Sequence, residues 1–290
     1  MNKIKGTGVA LITPFNEDFS IDYTSLEKLL NHQIDGGIDF LVVMGTTGES
    51  TTLSSQEKKE VVTFCKKINN GRLPIVLGIG GNNTFALVEE IKSTNFEGID
   101  AILSVSPYYN KPTQDGIYLH YKMIAEACPL PIILYNVPSR TASNISAETT
   151  LRLANDFEKI VAVKEASSDL VQIEKIIQQR PKDFLVLSGD DGLTSKIIEI
   201  GGDGVIAVIG QSHSKEFSKM VNTGLAGDFV KANQLHEKLN PIYAPLYQDG
   251  NPAGIKATLN ILGICKNLLR PPLIPVSDIV YKKLKRFIEA

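Results

Sequence analysis

Eight short apolar runs, separated by segments of helical period, predict an α/β protein: a (β/α)8 TIM barrel with a C-terminal helical extension. Three observations carry this reading. The alternation of strand and helix is strict, which calls for a parallel sheet with helical crossovers. The strand-like runs number eight, the count that closes such a barrel, and the chain of 290 residues exceeds the ~250 that the fold typically needs. After Leu225 no strand-like run remains, only helical patterns. An open doubly wound sheet is the competing arrangement on pattern alone. The division expected is a catalytic barrel over residues 1–225 and a helical subdomain over 226–290.

The strand-like runs are residues 9–13, 40–44, 75–79, 101–105, 132–135, 160–164, 184–187 and 205–209, mostly apolar and often β-branched. The first helical segment carries Leu26, Leu29, Leu30 and Ile34 at spacings of three and four, and stops at Gly36-Gly37. The second opens on Ser54-x-x-Glu57, a capping-box pattern, and runs through Val61, Val62, Cys65 and Ile68. Leu87, Val88 and Ile91 mark another, and Val171, Ile173, Ile176 and Ile177 a later one. In the tail, helical patterns at 230–239, 255–264 and 279–287 are interrupted by Pro241, Pro245, Pro252 and Pro271-Pro272.

Composition narrows the class. Hydrophobic content of 43% and charged content of 21% describe a globular chain, and a net charge of −2 offers no electrostatic reason for nucleic acid or an anionic membrane as partner. The basic cluster Lys282-Lys283-Leu284-Lys285-Arg286 falls in a helical pattern and reads as a solvated face. No apolar run reaches the ~20 residues that span a bilayer. The start, Met1 to Gly6, lacks the apolar core of a signal peptide. Cys65, Cys128 and Cys265 are few, odd in number and far apart, which argues against a disulfide framework. A cytoplasmic protein is expected.

The most informative residue is Lys164, a lone ammonium ending the apolar run Ile160-Val161-Ala162-Val163. An ammonium is costly to desolvate, so lysine in such a strand either pairs with a carboxylate or serves as an amine nucleophile. Glu165 is adjacent, yet neighbouring strand residues point to opposite faces. Chemistry in these barrels sits at the C-terminal strand ends. There the chain offers Gly45-Thr46-Thr47-Gly48-Glu49-Ser50, whose hydroxyls and amides suit a small carboxylate. It also offers Tyr108-Tyr109-Asn110, then Tyr135 with Asn136-Val137-Pro138-Ser139-Arg140-Thr141, and Gly189-Asp190-Asp191-Gly192. Each has an ordinary structural explanation; their joint placement around one lysine points to an amine-based site with two anion-binding ends.

Competing constellations are incomplete. His32, His120, His213 and His236 do not cluster, and Asp190-Asp191 completes no metal-ligand spacing. Gly78-Ile79-Gly80-Gly81 misses the last glycine of a dinucleotide fingerprint. The chain has no phosphate loop and no Gly-x-Ser-x-Gly elbow. Neither metal nor organic cofactor is expected.

The motifs Gly8-Val9-Ala10-Leu11-Ile12-Thr13-Pro14-Phe15, Gly45 to Ser50, Pro107 to Asn110, Tyr135 to Thr141, Val163-Lys164-Glu165-Ala166, Ser188 to Asp191, Gly201 to Val208 and, more weakly, Asn251-Pro252 resemble the pyruvate-dependent class I aldolase/lyase family of (β/α)8 barrels. Within it they resemble the branch that condenses pyruvate with aspartate 4-semialdehyde to 4-hydroxy-tetrahydrodipicolinate, on the way to lysine and diaminopimelate. The resemblance implies that Lys164 forms the Schiff base with pyruvate. It implies that Tyr135, Thr46 and Tyr109 relay protons, with Tyr109 reaching in from another subunit of a homotetramer (a dimer of dimers). Thr47 would hold the pyruvate carboxylate, and Gly189 and Ile206 would line the site. Arg140 would grip the carboxylate of the second substrate. N-acetylneuraminate lyase and keto-deoxy-gluconate aldolase, the alternatives within the family, act on neutral sugar aldehydes and usually lack that arginine. Lysine-inhibited relatives carry histidine and glutamate where this chain has Ser55 and Ala86, with Lys58 nearby, so weak or absent inhibition by lysine is expected.

Overall fold

A computed structural model describes residues 2–290; Met1, the first residue of the start considered for a signal peptide, lies outside the described residues. Eight parallel strands close into one barrel in sequence order. They are β1 (Gly6–Ala10), β2 (Phe40–Val43), β3 (Ile75–Gly78), β4 (Ala101–Val105), β5 (Ile132–Asn136), β6 (Ile160–Glu165), β7 (Leu185–Ser188) and β8 (Gly204–Ala207). Closure is made by β1 against β8, with Gly8 beside Ile206. Helices connect successive strands, from Tyr23–Asp35 after β1 to Ser214–Leu225 after β8. Helix Ser55–Asn69 opens with the expected capping box, the Ser54 hydroxyl taking the Glu57 amide and the Glu57 carboxylate taking the Ser54 amide.

Alternation along the strands sorts the apolar side chains into two cores. Phe40, Val42, Val76, Leu103, Ile133, Ala162, Leu187 and Ile206 fill the barrel interior. Leu41, Val43, Ile75, Ile102, Leu134, Val163 and Val186 face the helices. Gly8 makes room for this packing: a Cβ there would lie 2.2 Å from Phe40 Cε2.

Two strands lie earlier than the apolar runs implied. The run at 9–13 becomes β1 at Gly6–Ala10, and the run at 205–209 becomes β8 at Gly204–Ala207. In both, the apolar residues continue past the strand because the loop beyond it is itself buried. Ile12 donates its amide to Gln211 Oε1 at 2.8 Å, and the Thr13 hydroxyl donates to the Gly48 carbonyl at 2.7 Å. Val208 and Ile209 donate their amides to the Asp191 carboxylate at 3.0 and 2.8 Å. Burial alone cannot separate strand from buried loop.

The tail forms helices Phe229–Gln248, Ala253–Ile261 and Asp278–Ile288. Pro241 and Pro245 lie inside the first and do not end it, contrary to the interruption expected. Each lacks the N–H that would bond four residues back, but the carbonyls left over belong to Glu237 and Pro241, both exposed and open to water.

The tail is tied to the β2 loop by buried charge. Lys256 and Glu49, both fully buried, pair at 2.5 Å, and the Lys256 ammonium also donates to the Leu268 carbonyl at 2.8 Å. Burial pulls the Lys256 ammonium below the ordinary lysine range, while Glu49 opposes the shift. Arg270 donates its backbone amide to Glu49 at 3.1 Å and two guanidinium N–H groups to the Glu57 carboxylate at 2.5 and 3.0 Å. The segment that carries Thr46 and Thr47 is thus clamped by residues more than 200 positions away.

Candidate active site

Lys164 points inward near the end of β6, only 5% exposed, with its ammonium 4.4 Å from the centroid of the Tyr135 ring. Tyr135 is its register partner on β5, so the two side chains leave the barrel wall together. Glu165 turns to the opposite face. It accepts from Asn136 Nδ2 at 2.9 Å, Gln172 Nε2 at 2.9 Å and the Ser167 amide at 3.0 Å, and burial raises its pKa. Among the described residues no carboxylate comes within salt-bridge distance of Lys164. The structural alternative, an ion pair with Glu165, is therefore absent.

Tyr135, the ring against this amine, also lines a cavity of about 970 Å3 whose walls include Thr46, Tyr108 and Arg140. Thr46 and Thr47 lie on the single turn Thr46–Gly48, entered through Met44 and left through Glu49, both in left-handed backbone at φ 63° and 52°. Thr47 is buried and accepts from Asn251 Nδ2 at 3.0 Å. Arg140 sits on the short helix Pro138–Thr141 after β5 and donates from Nη2 to the Asn251 carbonyl at 3.2 Å. Gly189 borders Lys164 closely: a Cβ there would come within 3.1 Å of Lys164 Cε and 2.6 Å of Ala166 Cβ. Ile206 packs in the same interior cluster as Tyr135.

Tyr109 stands apart from the other expected site residues, which line the cavity, are buried, or border Lys164. It is 88% exposed in left-handed backbone at φ 74°, and its side chain is not part of the cavity wall in this chain. Ser55 and Lys58 lie on the outer wall of the same cavity, while Ala86 is exposed on helix Thr84–Ser93.

Sequence reasoning missed two contributions from the tail. One is the Asn251 side chain against Thr47. The other is Tyr247, whose hydroxyl donates to Asp191 at 2.7 Å and so helps hold the end of β8. Asp191 is thereby a buried structural acceptor, its pKa raised by burial, rather than half of a metal-binding pair. Asn251-Pro252 was the only local signal, and no spacing rule ties a residue to a partner 204 positions away.

A buried amine without a carboxylate partner among the described residues, an adjacent phenol ring, two hydroxyls and a guanidinium thus lie toward one end of the barrel. Comparisons with known proteins place the whole chain in a family. A family model described as the dihydrodipicolinate synthetase family matches residues 3–290. A 4-hydroxy-tetrahydrodipicolinate synthase of Flavobacterium psychrophilum is 53% identical over 287 residues, 99% of this chain and 98% of its own. One of Parabacteroides distasonis is 52% identical over 285 residues, 98% of this chain and 96% of its own. A dihydrodipicolinate synthase structure from Thermotoga maritima superposes with a TM-score of 0.96 at 37% identity, covering 99% of this chain and 98% of its own.

Proposed function

The chain belongs to the dihydrodipicolinate synthetase family, and from that premise we propose that it is a lyase condensing pyruvate with aspartate 4-semialdehyde to 4-hydroxy-tetrahydrodipicolinate, within lysine and diaminopimelate biosynthesis. One observation carries the mechanism: Lys164 is buried at a strand end with no carboxylate partner among the described residues and a phenol ring against its amine. Such an amine attacks the keto carbon of pyruvate, water leaves, and the protonated imine withdraws electrons from the methyl group. Loss of a methyl proton gives an enamine, which adds to the aldehyde; the amine of the semialdehyde then attacks the imine carbon, closing the ring and displacing the Lys164 amine.

Tyr135 and Thr46 border the amine and cavity and carry protons between imine, water and aldehyde oxygen. Thr47 receives the pyruvate carboxylate, and Gly189 and Ile206 shape the space beside the imine. Arg140, exposed at the cavity wall, meets the carboxylate of the semialdehyde with its planar fork. That second acid group favours this substrate over a neutral sugar aldehyde. Tyr109 completes the relay from a second subunit in a homotetramer, which its outward, exposed placement supports. Residues 1–225 form the catalytic barrel and 226–290 the helical subdomain. No helix among the described residues is long and apolar enough to cross a membrane; a cytoplasmic location is our reading.

The test is a paired assay of wild type and Lys164→Arg. Wild type consumes semialdehyde only when pyruvate is present. Lys164→Arg, whose guanidinium stays protonated, loses turnover by roughly a thousandfold or more, the scale of removing a covalent nucleophile. Full activity in that variant would refute the imine mechanism.

A further inference from the structure

Asn251 lies on the tail, between helices Phe229–Gln248 and Ala253–Ile261, yet its side chain reaches the turn that carries Thr47. Its Nδ2 donates to Thr47 Oγ1 at 3.0 Å, while its backbone carbonyl accepts from Arg140 at 3.2 Å. A hydroxyl oxygen that accepts one hydrogen bond still has its own proton to place. Among the described residues no protein acceptor takes that proton, although Thr47 is only 2% exposed. Asn251 Oδ1 is likewise buried with no partner among the described residues, so the amide is held by its donor end.

We propose that Asn251 is a positioning residue that sets the direction of the Thr47 hydroxyl, turning its proton toward the pyruvate carboxylate and thereby determining pyruvate affinity. This role rests on the pyruvate-condensing function proposed for the site. The two contacts of Asn251 have separable consequences. The side chain acts on Thr47, hence on pyruvate; the backbone carbonyl acts on Arg140, hence on the semialdehyde, and survives any side-chain substitution.

The experiment measures the pyruvate concentration that half-saturates borohydride-trapped adduct formation on the full chain, together with steady-state kcat and both KM values. The variants are Asn251→Ala, Asn251→Asp, Thr47→Val and the pair Asn251→Ala with Thr47→Val, with folding checked by thermal melting. Asn251→Asp keeps the shape of the side chain but replaces the donor by an acceptor, so a space-filling role would leave it unaffected. The expected result is a rise of about fivefold in half-saturating pyruvate for Asn251→Ala, the worth of one net hydrogen bond. Asn251→Asp rises at least as much, because the Thr47 proton now turns toward its carboxylate. The semialdehyde KM and kcat stay within about twofold, and Asn251→Ala adds nothing on top of Thr47→Val. Unchanged half-saturation in Asn251→Asp would mean that the amide accepts from Thr47 and would overturn the positioning role. Additive effects, or equal losses in kcat and both KM values, would overturn it as well. Absence of any adduct in wild type would overturn the proposed function itself, and the role of Asn251 with it.

Discussion

At the scale of single residues, one asymmetry leaves an amine without a carboxylate partner among the described residues: Lys164 and Glu165 are neighbours in sequence and strangers in space. Strand alternation sends the ammonium into the barrel and the carboxylate into the layer under helix Leu170–Gln179, where Asn136, Gln172 and Ser167 satisfy it. Arg140 is the counterpart at the cavity wall, and in the proposed function it selects the second substrate. Arg140→Ala is expected to raise the semialdehyde KM by roughly 10- to 100-fold, the range for losing a charge-assisted hydrogen-bonded contact, with pyruvate adduct formation unchanged. Equal losses for both substrates, read by steady-state kinetics and adduct trapping, would place Arg140 in the scaffold instead. Lys164, Tyr135, Thr46, Thr47 and Arg140 could be singled out as candidates because each sits in a local motif beside a recognisable apolar run. Asn251 and Tyr247 were not, because their roles exist only once the tail folds back over the barrel mouth.

At the scale of elements, the β2 loop depends on charges supplied by the tail. Lys256→Met leaves the Glu49 carboxylate buried without its cation and is expected to cost about 3–5 kcal/mol in denaturant unfolding. Adding Glu49→Leu to it should recover much of that loss, since two apolar groups replace a pair that was costly to desolvate. No recovery would mean that the pair shapes the loop beyond its charge. The Arg270 and Glu57 contact, partly open to water, adds a pH dependence. Hydrogen bonding to Arg270 lowers the Glu57 pKa from 4.5 to about 2. Its folded value lies below its unfolded one, so its stabilisation is present above about pH 4.5 and is lost as pH falls toward 2. The melting-temperature advantage of wild type over Glu57→Gln should therefore shrink across that window; a constant difference would contradict the assignment. Expected strand boundaries were displaced where buried loops continued an apolar run, and helix Phe229–Gln248 ran through prolines whose unpaired carbonyls belong to the exposed residues Glu237 and Pro241. In both cases tertiary placement overrode a local rule.

At the scale of the whole molecule, eight strand–helix units and a strandless tail were enough to anticipate a closed barrel, because period and count are local properties. Assembly is not local in that way. Tyr109 is 88% exposed and stands outside the cavity wall of its own chain. If it serves a neighbouring subunit, mixing inactive Tyr109→Phe and Lys164→Arg chains and allowing exchange should restore up to about a quarter of the sites, those pairing an intact lysine with an intact tyrosine. No recovery in verified mixed oligomers would confine Tyr109 to its own chain. The imine mechanism is tested most directly by mass spectrometry of the protein incubated with pyruvate and borohydride, with peptide mapping of the product. It predicts one reduced pyruvate adduct, on Lys164, and consumption of aspartate 4-semialdehyde when borohydride is omitted. An unmodified Lys164, or an adduct on a different lysine, would contradict it.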